Sequence, residues 1–224
     1  MFLGHFGVAL ALKRAEPKLS LGTLFLAVQL LDLLWGVFLL TGWERVRIDP
    51  GFTAVTPLQF IRYPITHSLV GAFAWALVGA AVYYSWPTRD TSRHWQASAI
   101  VGAAVFSHFW LDVLVHVPDL TISGEGTTAL GLGLWQSVGA TLAAELLVFA
   151  AGIAIYVIGR SRRHPVRSGR LTGLVVVLLA LYLLSLFGPP PTEVSAIAVV
   201  DIVGLLALTA FAAWVDRPAL PGDL

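Results

Sequence analysis

Apolar residues in this chain come in long runs, with neither the alternation of a half-buried strand nor the single stripe of a soluble amphipathic helix. A helix needs about 20 apolar residues to cross a hydrocarbon core. Six stretches suit a crossing: about 19–41, 65–86, 96–117, 129–159, 171–187 and 194–215. Residues 1–12 are apolar but too short to cross alone, and are expected as a half-helix tucked against the bundle or a re-entrant piece. Breakers separate these runs: Glu16-Pro17-Lys18, the polar stretch Trp43–Pro64, Trp86-Pro87-Thr88, Pro118–Thr128, Arg160–Arg170 and Gly188-Pro189-Pro190-Pro191. The expected fold class is all-α, a polytopic transmembrane helical bundle of about six spans plus a short N-terminal half-helix. It forms one domain over 1–224, with a candidate metal-site bundle at about 1–159 and two further spans at about 171–215.

Composition sharpens this. Charged residues are 12% of the chain and hydrophobic ones 57%; a soluble domain carries about 25% charged residues. A soluble globular fold is excluded. The absence of cysteine excludes disulfides and thiolate metal sites. The N-terminus, MFLGHFGVALALKR, lacks a basic leader and a small-residue cleavage site, so it is expected to be retained.

The net charge of +1 matters less than its distribution. With six spans, one side holds Lys13, Lys18, Arg14, Arg89, Arg93, Arg160, Arg162, Arg163, Arg167, Arg170 and Arg217, and the other Arg45, Arg47 and Arg62. The first side is expected to be cytoplasmic, with the C-terminus, and the second to face outward. The Arg160–Arg170 cluster suits anionic lipid, and nothing suggests nucleic acid binding. Trp43, Trp86 and Trp95 read as an interfacial belt, while Gly124-Glu125-Gly126 is too sparse for a phosphate loop.

An ionisable group inside a span costs roughly 2.5–3.5 kcal/mol on insertion scales, so each one needs a reason. His108, Asp112 and His116 repeat at intervals of four. On a helix that spacing stacks them along one face, about 6 Å apart along the axis. Two imidazoles and a carboxylate so placed suit a borderline cation such as zinc. Asp32 lies nine residues before the outward end of its span, at the depth of His108. His67 opens the second span in Thr66-His67-Ser68, Glu145 lies mid-membrane, and His5 reaches similar depth if residues 1–12 are helical. Together they could line an outward-opening pocket. The bland alternatives are hydrogen bonds across helices for the histidines, capping for Thr66 or Ser68, and packing for Asp201, which is set aside.

The order Gly4-His5, Asp32, Thr66-His67-Ser68, Ser107-His108 and Asp112 resembles the membrane-bound metal-dependent hydrolases, inner-membrane proteins sometimes labelled LexA-binding. That family is grouped distantly with zinc-dependent phospholipase C and the single-strand nucleases, whose His and Asp order holds a three-zinc cluster. The resemblance covers about residues 1–145. It implies that His67, His108 and Asp112 hold one metal, that His5 joins Asp112 at a neighbouring one, and that His116 serves a further one. It implies that Asp32 binds or orients the attacking water. The family's final His-x3-Glu is Thr141-x3-Glu145 here, so one or two ions are expected, with Glu145 and Asp32 as candidate catalytic acids.

The expected function is a zinc-type hydrolase acting on an ester or phosphoester of a lipid-like substrate in a bacterial inner membrane. A metal or proton transporter and a non-catalytic scaffold are the competitors. Transport is disfavoured because the chain shows neither an inverted repeat nor a broken helix pair.

Overall fold

A backbone inside lipid must satisfy its N–H and C=O groups within its own segment, and the long apolar runs accordingly form helices. A computed structural model describes residues 1–86, 94–124, 126–159 and 168–217. The described helices, in chain order, are α1 (Leu3–Ala15), α2 (Leu21–Val28), α3 (Leu30–Thr41), α4 (Pro64–His67), α5 (Leu69–Ser85), α6 (His94–Val115), α7 (Val138–Gly159), α8 (Ser168–Phe187) and α9 (Val194–Val215). Strands β1 (Arg45–Ile48) and β2 (Leu58–Arg62) pair antiparallel, as do β3 (Leu120–Thr121) and β4 (Ala129–Leu130).

Four helices, α6 to α9, are long and apolar enough to cross a membrane, and α2 with α3 makes a fifth if the bent pair counts as one span. Their outer faces are apolar too: Leu147, Ile158, Leu184, Val200 and Val203 are exposed. A surface of this kind suits lipid, since soluble proteins rarely expose contiguous apolar patches of such extent.

Three expectations change. The first span is broken, with α2 and α3 meeting at 52°, so the absence of a broken helix pair does not hold. The second run splits into α4 and the 17-residue α5, because extended Ser68 ends one helix and caps the next through Gly71 N–H. The fourth helix starts at Val138 rather than near 129, since β4 and a 3₁₀ turn at Leu134–Gln136 occupy the preceding residues. Arg89, Arg93, Glu125, His164 and the basic residues 160–167 lie outside the described residues.

The short α1 lies inside the bundle. It packs along α7, where Gly152 meets Gly7 so closely that a methyl group on Gly152 would strike the Gly7 carbonyl. Lys13, expected as a loop charge, is buried near the end of α1 and pairs with Asp216 at 2.6 Å. Asp216 also accepts from Leu21 N–H, tying the start of α2 to the end of α9. Beside them, α6 is the most buried of the long helices, and its inner stripe of Ala97, Val101, Ala104, His108 and Asp112 follows helical spacing.

Candidate metal centre

The break in the first span and the position of His108 meet at one carbonyl. Val28 ends α2, so its carbonyl is among those left without an intrahelical partner. His108 Nδ1 lies 2.7 Å from that carbonyl oxygen. A carbonyl only accepts, so the proton of a neutral His108 ring sits on Nδ1 and the Nε2 lone pair points away from α2. That Nε2 is buried, without a hydrogen-bond partner among the described residues. It faces Asp112 Oδ2 at 3.0 Å and Asp32 Oδ1 at 3.4 Å. A lone pair held against two carboxylates is repulsive unless a positive charge, a second ring proton or a metal ion, stands among them.

The break also sets Asp32 in the first turn of α3, where free N–H groups favour a negative charge. His67, ending α4, places Nε2 3.2 Å from Asp32 Oδ1 and 3.6 Å from Asp112 Oδ2, while its Nδ1 meets Thr66 Oγ1. His5 stacks flat on His108 with ring centres 3.8 Å apart, and its Nε2 lies 3.2 Å from Asp112 Oδ1. Neither ring nitrogen of His5 has a hydrogen bond among the described residues. Parallel rings at that distance disfavour two positive charges, which favours neutral nitrogen, the metal-binding form. The Met1 amino group also reaches Asp112 Oδ1, at 2.5 Å.

Two triads thus have ligand atoms within 4.8 Å of one another: His5, Asp32 and His108, and His67, His108 and Asp112. Both use His108, and since one nitrogen lone pair binds one ion, they describe one shared centre. Three imidazoles and two carboxylates form a nitrogen and oxygen set that fits a divalent transition ion such as zinc. No family model, curated protein or solved structure matches this chain. The chemistry of the site rests on its own atoms.

His116 stands apart from this group. It follows the last residue of α6, pairs through Nδ1 with Asp119 at 3.0 Å and packs on Trp135 with ring centres 4.2 Å apart. Burial pulls its pKa below the ordinary imidazole value, against the opposing effect of Asp119. Beside it, burial together with Asp119 pushes the Tyr63 phenol upward. Glu145 binds the start of α1: its two oxygens accept from Phe2 N–H and Gly4 N–H, each at 2.8 Å. It caps the start of α1 and so fixes the helix that carries His5.

Two acids outside the expected set join the surroundings. Asp201 of α9 keeps Oδ2 buried without a hydrogen bond among the described residues and lies within electrostatic reach of Asp32 and His108. Glu44 is 1% exposed and bonded to the start of α4. Asp201 was visible as an ionisable residue inside a span; Glu44, in a polar stretch, gave no such signal.

Proposed function

We propose that this chain is a membrane-embedded hydrolase dependent on a divalent metal, best served by zinc in a nitrogen-rich set, and acting on an ester or phosphoester of a lipid-like substrate.

 The observation that supports it most is His108 Nε2, buried, without a hydrogen-bond partner among the described residues, and facing Asp112 and Asp32. His5, His67, His108 and Asp112 would hold the ion. When bound, a divalent cation supplies Lewis acidity and makes water more acidic. Asp32 is the acid open to a substrate, with its side chain 27% exposed against 3% for Asp112. In this reading Asp32 orients the attacking water and takes its proton, while Glu145 keeps α1 seated.

A lipid-like substrate is supported by the setting of Asp32, on a helix whose Val37 and Leu40 are exposed apolar residues. The resemblance to membrane-bound metal-dependent hydrolases points the same way. In this arrangement α5 is the sixth crossing, the site opens outward, and the basic loops face the cytoplasm of a bacterial inner membrane.

Cation transport is the second reading, favoured by the 52° break beside the ligands, since transporters bind ions at discontinuous helices. The two separate in detergent and in liposomes. Purified protein is expected to cleave a phospholipid or lipid ester, to lose that activity on chelation and to regain it with Zn²⁺. Zn²⁺ flux into proteoliposomes without any cleavage would replace the hydrolase with a transporter.

A further inference from the structure

Metal-binding histidines are usually oriented by what their second nitrogen touches. For His108 that partner is the Val28 carbonyl; for His67 it is a hydroxyl, which can either give or accept a proton. Something else must decide the direction.

Glu44 does so by position. Gly42 ends α3 in the left-handed region, with φ of 76°, and Glu44 N–H then donates back to the Phe38 carbonyl, which turns the acid inward. The helix α4 has no side-chain cap from its own N-cap residue, Tyr63. Glu44 Oε1 supplies one from 21 and 22 residues away, accepting Ile65 N–H at 2.8 Å and Thr66 N–H at 2.9 Å. Its other oxygen, Oε2, accepts the Thr66 hydroxyl at 2.6 Å. Thr66 has one hydroxyl proton and it is committed there. At the 2.7 Å contact with His67 Nδ1, the hydroxyl can therefore only accept.

We propose that Glu44 is a positioning residue that, through Thr66, fixes the proton of His67 on Nδ1 and leaves the Nε2 lone pair for the metal. The inference rests on the metal centre proposed above, and concerns what prepares it. Without that constraint a neutral His67 could place its proton on Nε2, which faces Asp32 Oδ1 at 3.2 Å and would welcome a donor. The ring would then bond to the carboxylate and could not bind an ion.

The substitution Glu44→Gln reverses the chain of bonds without removing it. The two backbone N–H groups require an acceptor, so the amide oxygen takes the place of Oε1 and the amide nitrogen meets Thr66. Thr66 then accepts from the amide and donates to His67 Nδ1, which drives the ring proton to Nε2. Outer partners of metal ligands contribute about 10–100-fold to affinity, and a loss in that range is expected for Zn²⁺.

The test uses full-length protein in detergent, with ¹⁵N-labelled histidine and Zn²⁺ as the probe. In the metal-free wild type, His67 is expected to show the Nδ1–H tautomer, and in Glu44→Gln the Nε2–H tautomer. Thr66→Ser keeps the hydroxyl and should bind Zn²⁺ within a few-fold of wild type. Thr66→Val removes the acceptor and should bind about 10–100-fold more weakly. An unchanged tautomer and unchanged Zn²⁺ affinity in Glu44→Gln would overturn the inference. If that variant does not fold, Thr66→Val decides, and wild-type affinity in it overturns the inference equally. Wild-type protein that binds no Zn²⁺ would count against the metal centre instead, and the apoprotein spectra would still decide the role of Glu44.

Discussion

Replacing His108 with alanine is expected to remove stoichiometric metal from the purified protein, with an affinity loss beyond the roughly 100-fold that outer partners produce. Both ligand triads contain His108, so no subset of the remaining groups reproduces either one. The substitution also strands the Val28 carbonyl, which His108 satisfies at 2.7 Å. An unsatisfied buried acceptor costs about 1–3 kcal/mol, so thermal stability should fall as well. His116→Ala supplies the contrast. His116 bonds to Asp119 outside both triads, and its loss should leave metal content near wild type. Metal analysis of the two variants after the same purification measures the difference directly. Equal metal in His108→Ala and wild type would rule out this centre.

Asp32→Asn is expected to lower the rate of hydrolysis about 10²–10⁴-fold, the usual contribution of general acid–base catalysis, while metal remains bound. Asparagine keeps an oxygen in place but loses the basicity. Asp112 is enclosed by His5, His67, His108 and the Met1 amino group, whereas Asp32 keeps an open side. The same change at Asp112 should therefore reduce metal content, and at Asp32 should reduce turnover. Single-turnover kinetics on metal-quantified samples separate the two. Loss of metal in Asp32→Asn, in proportion to lost activity, would make Asp32 a ligand only.

Much of the centre was legible because helical spacing acts over short distances. The interval of four between His108 and Asp112 puts both on the inner face of α6, and counting residues from the span end puts Asp32 level with them. The same interval misleads at His116, because α6 ends at Val115 and the ring turns to Asp119 instead. The break after Val28 has no proline or glycine to announce it. It coincides with a carbonyl that bonds to a side chain 80 residues away, and no local pattern encodes that contact. Glu44 was hidden for the same reason, as its partners at Ile65 and Thr66 depend on how β1 and β2 return the chain to the bundle. Glu145 was singled out as an ionisable group in a span, but its use as a cap for α1 follows from the packing of α1 on α7.

X-ray absorption at the metal edge, on wild-type protein purified with Zn²⁺, most directly examines whether these side chains share an ion. A first shell of nitrogen and oxygen at about 2.0–2.2 Å, with the outer-shell scattering of at least two imidazoles, is the expected result. Absence of stoichiometric metal, or a shell of oxygen alone without imidazole scattering, would contradict it.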